Sequence, residues 1–67
     1  MINEPRIIKR YANRRLYDTE TSNYITLEEI KELVIQNITI KVIDDKTNED
    51  MTDNILLQII RNEEQES

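Results

Sequence analysis

The chain has no side chains that could cross-link it, although it contains only 67 residues. Cysteine and histidine are both absent, so disulfides are excluded and a zinc site would lack its usual ligands. A domain of this size hides only about 60% of its unfolded surface, and its core is correspondingly thin. We therefore expect one domain over residues 1–64, whose core is enlarged by a partner subunit in a homo-oligomer, a dimer or higher.

The net charge of −5 conceals an uneven distribution along the chain. Residues 1–15 contain five basic residues against Glu4 alone, a net charge of +4, whereas residues 16–67 contain four basic and thirteen acidic residues, a net charge of −9. Such asymmetry is typical of a chain whose one end meets a polyanion. A basic strand that balances acidic neighbours would give the same counts, so charge alone leaves both interpretations open.

The first third of the chain predicts three short strands. Residues 6–11 and 14–18 are rich in β-branched, aromatic and basic side chains, and residues 24–25 follow the polar turn at 19–23. The last two strands form a predicted hairpin. Its register would place Tyr17 close to Tyr24, where an aromatic pair helps to fix the pairing.

A first helix is predicted from Thr26, because Thr26 and Glu29 have the spacing of a capping box. Its apolar stripe contains Leu27, Ile30, Leu33 and Val34. The helix should end near Asn37, since asparagine tolerates the left-handed backbone of a C-terminal cap. The chain contains no glycine, so asparagine is expected wherever a positive φ is needed.

The second half predicts a strand, a hairpin and a second helix. Alternation over residues 38–43 indicates the strand, and the polar run from Asp44 to Asp50 indicates a turn with its corner at residues 47–48. Residues 49–51 predict a short return strand. Thr52 or Asp53 is the expected cap of the helix, whose apolar face consists of Ile55, Leu56, Ile59 and Ile60.

Two features lie outside this regular pattern. Leu57 falls off the apolar stripe of the second helix, which suggests a contact between subunits. Residues 62–67 form a charged tail and are the expected start of a linker. The predicted fold is therefore α+β, a small antiparallel sheet of four or five short strands packed with two helices, in the order β-β-β-α-β-(β)-α.

Composition argues against an enzyme. Without histidine or cysteine the chain lacks the most common general base and the best nucleophile, and without glycine it lacks a phosphate-binding loop. We expect no cofactor and no metal, because the acidic run from Asp44 to Asp53 lacks the glycine and ligand spacing of a calcium loop. No apolar run is long enough to span a membrane, and the expected location is the cytoplasm.

The residues that carry chemistry are concentrated between Ile8 and Asp18. Arginine and lysine attract phosphate, and arginine also forms a bidentate contact with guanine. Asparagine can pair with adenine or shape a turn, and tyrosine can donate to phosphate or stack on a neighbour. The predicted DNA-binding residues are Lys9, Arg10, Asn13, Arg14, Arg15 and Tyr17.

Two further residues of this segment are expected to serve the fold. Leu16 should lie in the core together with one of the tyrosines. Asp18 repels phosphate, so it is expected either to hold Arg14 or Arg15 in an ion pair or to open the following turn through its own side chain. An ion pair would remove one arginine from a DNA-facing surface.

The runs KRYANRRLYDT (residues 9–19) and SNYITL (22–27) closely resemble the N-terminal domain of the polyhydroxyalkanoate (PHA) synthesis repressors, also called polyhydroxybutyrate (PHB) accumulation regulators. The resemblance continues through residues 42–52 and 57–60, and it covers about residues 7–64. The family usually has proline where Ala12 stands, and glycine where Asn48 and Asn37 stand. Ala12 therefore alters the strand break that precedes the arginines.

The resemblance implies a bacterial repressor whose partner is double-stranded DNA at a promoter operator. The family represses genes for granule-coating phasins and often its own gene, and it senses polymer by binding nascent PHA granules. The polymer-related region of the family would lie beyond Ser67, so granule binding is not assigned to this chain. The alternative is a protein-interaction and oligomerisation module, in contact with PHA granules or not, that has no DNA affinity of its own.

Overall fold

The structure, a computed structural model, describes residues 4–66, apart from the side chains of Asn13 and residues 62–66. Its strands are β1 (Arg6–Arg10), β2 (Leu16–Asp18), β3 (Asn23–Ile25) and β4 (Ile40–Asp44). Its helices are α1 (Leu27–Ile35) and α2 (Thr52–Glu66), and one 3-10 turn (Ala12–Arg14) lies between β1 and β2. The charged tail predicted from residue 62 concerns side chains outside the described part of the chain, and it stays a prediction.

The four strands form one sheet in the order β3-β2-β1-β4. The α+β class, the two helices and the order of elements are confirmed. The first three strands are antiparallel neighbours as expected, but β4 pairs parallel with β1, so the sheet is mixed. The reason is α1, which carries the chain from the β3 edge to the opposite edge and returns it in the direction of β1.

Both helices pack on the same face of the sheet. The buried core contains Ile30 of α1 and Ile55 of α2 together with four residues of the strands, Ile8, Leu16, Ile40 and Val42. The expectation that Leu16 lies in the core is confirmed, but the expectation that one of the tyrosines joins it is wrong, since Tyr11, Tyr17 and Tyr24 all lie outside the core. Strand residues alternate between faces, so Lys9, Tyr17 and Tyr24 point away from this core. Within residues 4–66, no helix covers that second face.

The local signals at α1 are confirmed. The Thr26 hydroxyl accepts a hydrogen bond from the Glu29 amide at 3.2 Å, and the Glu29 carboxylate accepts one from the Thr26 amide at 3.1 Å. After the helix, Asn37 has φ 64°, the left-handed conformation that ends a helix. The chain can therefore turn sharply towards β4 without a glycine.

The start of α2 differs from the prediction. Neither Thr52 nor Asp53 caps the helix, because the helix already begins at Thr52. Asp50 Oδ1 accepts hydrogen bonds from the Thr52 amide at 2.9 Å and from the Thr52 hydroxyl at 2.6 Å. Thr52 Oγ1 in turn accepts from the Val42 amide at 2.9 Å, which ties the helix to β4.

The acidic turn before α2 is held by its own carboxylates. Asp44 Oδ1 accepts from the Lys46 amide at 2.8 Å and from the Thr47 amide at 3.0 Å. Asn48 has φ 62°, as expected for the corner of this turn. The predicted return strand is a single bridge between Ile43 and Asp50. These acids serve as acceptors for backbone amides, which explains why the run is so polar.

One ion pair is buried in the sheet. Asp18 lies with 2% of its side chain exposed, and its Oδ2 accepts from Arg6 Nη2 at 2.6 Å and from Arg6 Nε at 2.9 Å. Burial acts to raise the pKa of Asp18, but hydrogen bonds from Arg6 and from the Glu20 amide outweigh it. The pKa of Asp18 therefore lies below its usual 3.8. The pair joins the start of β1 to the end of β2.

We predict that Asp18→Asn lowers the free energy of unfolding by about 2–3 kcal/mol at pH 7, because Arg6 would keep its charge without a buried partner. A fully buried pair would cost more, but 19% of the Arg6 side chain is exposed. Since folding lowers the pKa of Asp18, its contribution is complete above about pH 4 and is lost as the pH falls through the folded value. Urea unfolding at pH 7 and at several acidic pH values measures both effects.

Glu32→Gln is the matched control, since Glu32 is exposed on α1 and lies outside the buried core. It should leave stability unchanged at pH 7. Asp44 and Asp50 also have lowered pKa values, so Asp18→Asn should reduce the acid dependence without abolishing it. Equal stability of Asp18→Asn and the parent chain at pH 7 would contradict the structural role of the pair.

Candidate nucleic-acid interface

Three of the basic residues near the N-terminus are neutralised by neighbouring carboxylates. Arg6 contacts Asp18, and its Nε also lies 3.6 Å from Glu20. Lys9 Nζ lies 3.5 Å from Asp45 Oδ1. Arg10 Nη1 lies 3.4 Å from Asp44 Oδ2, its partner in the parallel pairing of β1 with β4. The positive charge that the sequence concentrates here is therefore partly cancelled by the acidic turn after β4.

Arg14 and Arg15 are the exception, and we call this pair the arginine tip. Both side chains are exposed, and neither forms an ion pair with a carboxylate of the described residues. They lie in the connection between β1 and β2, which is closed by a hydrogen bond from the Tyr11 amide to the Arg15 carbonyl at 2.8 Å. The tip thus lies in a loop closed by a backbone hydrogen bond, and it presents two adjacent uncompensated charges.

Of the two roles expected for Asp18, the ion pair with Arg14 or Arg15 is wrong. Asp18 pairs with Arg6 and not with Arg14 or Arg15, because the antiparallel register puts Asp18 opposite Ile8, in the middle of β1 and away from the tip. The other expectation is confirmed. The Glu20 amide donates to Asp18 Oδ1 at 2.9 Å, so the side chain also opens the turn after β2.

Arg14 has a left-handed backbone with φ 62°. Asparagine was expected at such positions, and it occupies two of them, but Arg14 and Ser22 (φ 59°) occupy two more. A non-glycine residue in this region carries a cost on the order of 1 kcal/mol. The hydrogen bond that closes the loop from Tyr11 to Arg15 spans this residue. The rest of the loop therefore holds Arg14 in this conformation.

A row of tyrosines crosses the uncovered face of the sheet. The rings of Tyr11 and Tyr17 lie 6.0 Å apart and those of Tyr17 and Tyr24 lie 5.4 Å apart, both edge to face. The predicted proximity of Tyr17 and Tyr24 is confirmed by their pairing across β2 and β3. The Arg15 guanidinium lies over the Tyr24 ring, 5.6 Å from its centroid. The row therefore leads directly to the arginine tip.

A groove of about 420 Å³ lies between the arginine tip and Tyr24. Its apolar floor is formed by Leu16, Ile25 and Leu27. Its described lining contains no carboxylate. Three other grooves formed by described residues are each lined by two acids, Glu29 with Glu32, Asp44 with Asp45, and Asp50 with Asp53. The groove at the tip is therefore the one among these four that favours an anionic ligand.

The five predicted DNA-binding residues whose side chains are described fall into three groups. Arg14 and Arg15 lie together on the surface, and Lys9 and Arg10 lie nearby in ion pairs. Tyr17 is half-buried in the centre of the tyrosine row. The side chain of Asn13 lies outside the described part of the chain. Tyr24 was missed as a site residue, although its predicted pairing with Tyr17 already placed it beside the basic segment.

Residues 7–67 match the family described as the PHB/PHA accumulation regulator DNA-binding domain. The chain belongs to this family. The resemblance of the basic segment is thereby confirmed over nearly the whole sequence. The family is a regulatory DNA-binding domain and not an enzyme family, so the chain is a PHA-related regulatory DNA-binding domain.

Two curated relatives are about half identical to the domain. An uncharacterized protein in the phbA 5′ region of Thiocystis violacea is 52% identical over 63 residues, which are 94% of this chain and 46% of that protein. An uncharacterized protein of Allochromatium vinosum is 51% identical over 63 residues, 94% of this chain and 41% of that protein. The chain thus spans less than half the length of these relatives.

No solved structure shows a significant match to the domain. None of the described helices is both long enough and apolar enough to cross a membrane.

We predict that Arg14→Gly raises the melting temperature of the domain, because glycine adopts the left-handed backbone without the cost that arginine carries. Arg15→Gly is the matched control, since Arg15 has φ −80° and ψ 134°, an ordinary extended backbone. There glycine should lower the melting temperature, because it increases the entropy of the unfolded chain. Thermal unfolding followed by circular dichroism distinguishes the two variants, and a lower melting temperature for both would contradict a left-handed Arg14.

Proposed function

We propose that the domain binds promoter operators as part of a transcriptional repressor that controls PHA synthesis and the genes of granule-associated phasins. The observation that supports this most is the arginine tip, with two adjacent, exposed arginines that lack acidic partners among the described residues, in a chain of net charge −5. The site of action would be the cytoplasm, where the DNA is.

The charge distribution gives this contact a direction. Phosphates attract the tip, while the acidic surfaces of α1 and of the turn after β4 are repelled by DNA. The tip is therefore the end that approaches the duplex. Arginine neutralises phosphate and can also form a bidentate contact with the edge of guanine in the major groove, so the same two residues can supply affinity and sequence preference.

The other predicted contacts have supporting roles in this proposal. Lys9 and Arg10 would add less affinity than the tip, because DNA would have to compete with Asp45 and Asp44 for them. Tyr17 would act mainly by holding Tyr24, and through it Arg15, in position. Asn13 directly precedes the tip in sequence and completes the proposed set.

Two observations support the wider biological role. One relative is named for its place in the phbA 5′ region, which is consistent with a regulator linked to PHB genes. The domain is also small, and two apolar residues of α2, Leu57 and Ile60, are 51% and 52% exposed. We propose that these residues contribute to a homo-oligomer, which would place two or more arginine tips on one operator. Contact with PHA granules is not assigned to this chain.

We predict that Arg14→Ala/Arg15→Ala lowers affinity for a promoter fragment by at least tenfold at moderate salt. A plot of log affinity against log salt should also become less steep, by about 0.9 for each phosphate that the variant no longer neutralises. Fluorescence anisotropy with a labelled duplex, at several salt concentrations, gives both quantities. Both side chains are exposed, so the variant should fold as the parent chain does.

The matched control is Lys41→Ala/Arg61→Ala, which removes the same charge from exposed residues; Lys41 lies near the start of β4, paired with Ile7 and away from the tip. It should change the salt slope far less than the tip variant. A folded tip variant with unchanged affinity would overturn the proposed site, and equal effects of both variants would show that net charge alone drives binding.

The exposed apolar side chains of α2 favour a second candidate, an oligomerisation or protein-interaction module without DNA affinity. Light scattering and a gel-shift assay on the same sample separate the two functions. A stable oligomer that binds no duplex DNA even at low salt would favour this candidate. Duplex binding that depends on the arginine tip would exclude it.

A further inference from the structure

We infer that the groove between the arginine tip and Tyr24 is a binding site for an unpaired nucleotide of a DNA strand. The inference rests on the proposed function, since it names the part of DNA that the same surface would hold. A duplex alone does not need this groove, because its bases are stacked on both sides and only their edges can be reached. An unpaired base can enter it.

The lining of the groove matches the base and the phosphates of a nucleotide. Tyr24 offers an aromatic ring for the base and is 59% exposed. Leu16, Ile25 and Leu27 provide the apolar floor from the core side of the sheet, and Arg14 and Arg15 provide the charge for the adjoining phosphates. Proteins that hold single strands combine the same elements, aromatic side chains for stacking and a basic track for the backbone.

The Tyr24 ring already accepts a planar group. The Arg15 guanidinium lies 5.6 Å from its centroid, so one face of the ring already stacks with a planar group, which a base would displace. The Tyr17 ring packs edge to face against the Tyr24 ring, with their centroids 5.4 Å apart, and it limits the rotation of the Tyr24 ring. A base would therefore find a ring whose orientation is set in advance, at little cost in entropy.

The phosphate is placed by the arginines and not by the nearby start of α1. That helix end is closed by the capping box of Thr26 with Glu29, and Glu28 adds a second negative charge there. The volume of the groove, about 420 Å³, lies at the lower end of the range for small-ligand sites. An acidic peptide is a poorer fit, because its carboxylates would pair with Arg14 and Arg15 but leave the aromatic ring and the apolar floor without a contact.

The test compares a labelled oligothymidylate of about eight nucleotides with the same oligonucleotide containing abasic sites. The two probes have the same phosphates, and only the first has bases throughout. We expect the intact probe to bind about tenfold more tightly, as stacking of one base would give. The chain has three tyrosines and no tryptophan, so quenching of its intrinsic emission by the intact probe reports on tyrosine directly.

Tyr24→Leu should abolish the preference for the intact probe, whereas Tyr24→Phe should retain it. Both substitutions are at an exposed position, and circular dichroism verifies the fold. Equal binding of the two probes by the parent chain would overturn the inference, as would an unchanged preference in Tyr24→Leu. A polyglutamate peptide that binds as tightly as the intact probe would also overturn it, in favour of an acidic protein partner.

The same variants separate this inference from the proposed function. Duplex binding that requires Arg14 and Arg15, together with equal binding of intact and abasic probes, would overturn the nucleotide site alone. Preference for the intact probe without any duplex affinity would overturn the operator-binding role and support the groove as a site for single strands.

Discussion

The ion pair between Arg6 and Asp18 determines how charge is distributed over the rest of the domain. Asp18 is the carboxylate closest in sequence to Arg14 and Arg15, and it would have been their natural partner. The register of β1 with β2 instead pairs Asp18 with Arg6. Arg6 Nη2 lies 2.6 Å from Asp18 Oδ2, and the Asp18 side chain is almost fully buried. The pair thus connects two strands and, at the same time, leaves the arginine tip without this neutralising acid.

The acidic turn after β4 has a similar double role. Its carboxylates hold backbone amides and compensate Lys9 and Arg10, because the parallel pairing brings the ends of β1 and β4 together. The uncompensated charge of β1 and its following loop is confined to that loop. A strongly acidic chain can in this way retain a basic surface, and its overall charge then helps to orient that surface towards a polyanion.

Much of the local structure could be predicted from the sequence, since it depends on neighbouring residues. The capping box at Thr26, the end of α1 at Asn37, the turn at Asn48 and the pairing of Tyr17 with Tyr24 are all of this kind. The parallel position of β4 and the partners of Asp18, Lys9 and Arg10 were not predicted. They depend on how distant segments meet, and composition and periodicity carry no information about that.

The site shows the same division. The basic residues of the site were identified from the sequence. Only the fold shows which of them lack an acidic partner, and only the fold shows that Tyr24 lines a groove with them. The left-handed Arg14 could not be predicted, because asparagine and glycine are the usual residues there and the loop closure from Tyr11 to Arg15 imposes it. A loop that holds an arginine in a backbone conformation which arginine disfavours is consistent with a binding role for that side chain.

The most direct test of this account is an NMR titration of the isotope-labelled domain with a duplex promoter fragment, followed through backbone amide shifts. The account predicts that the largest changes occur in residues 11–16, which contain and flank the arginine tip. Changes confined to α2 around Leu57 and Ile60, with the tip unaffected, would contradict it.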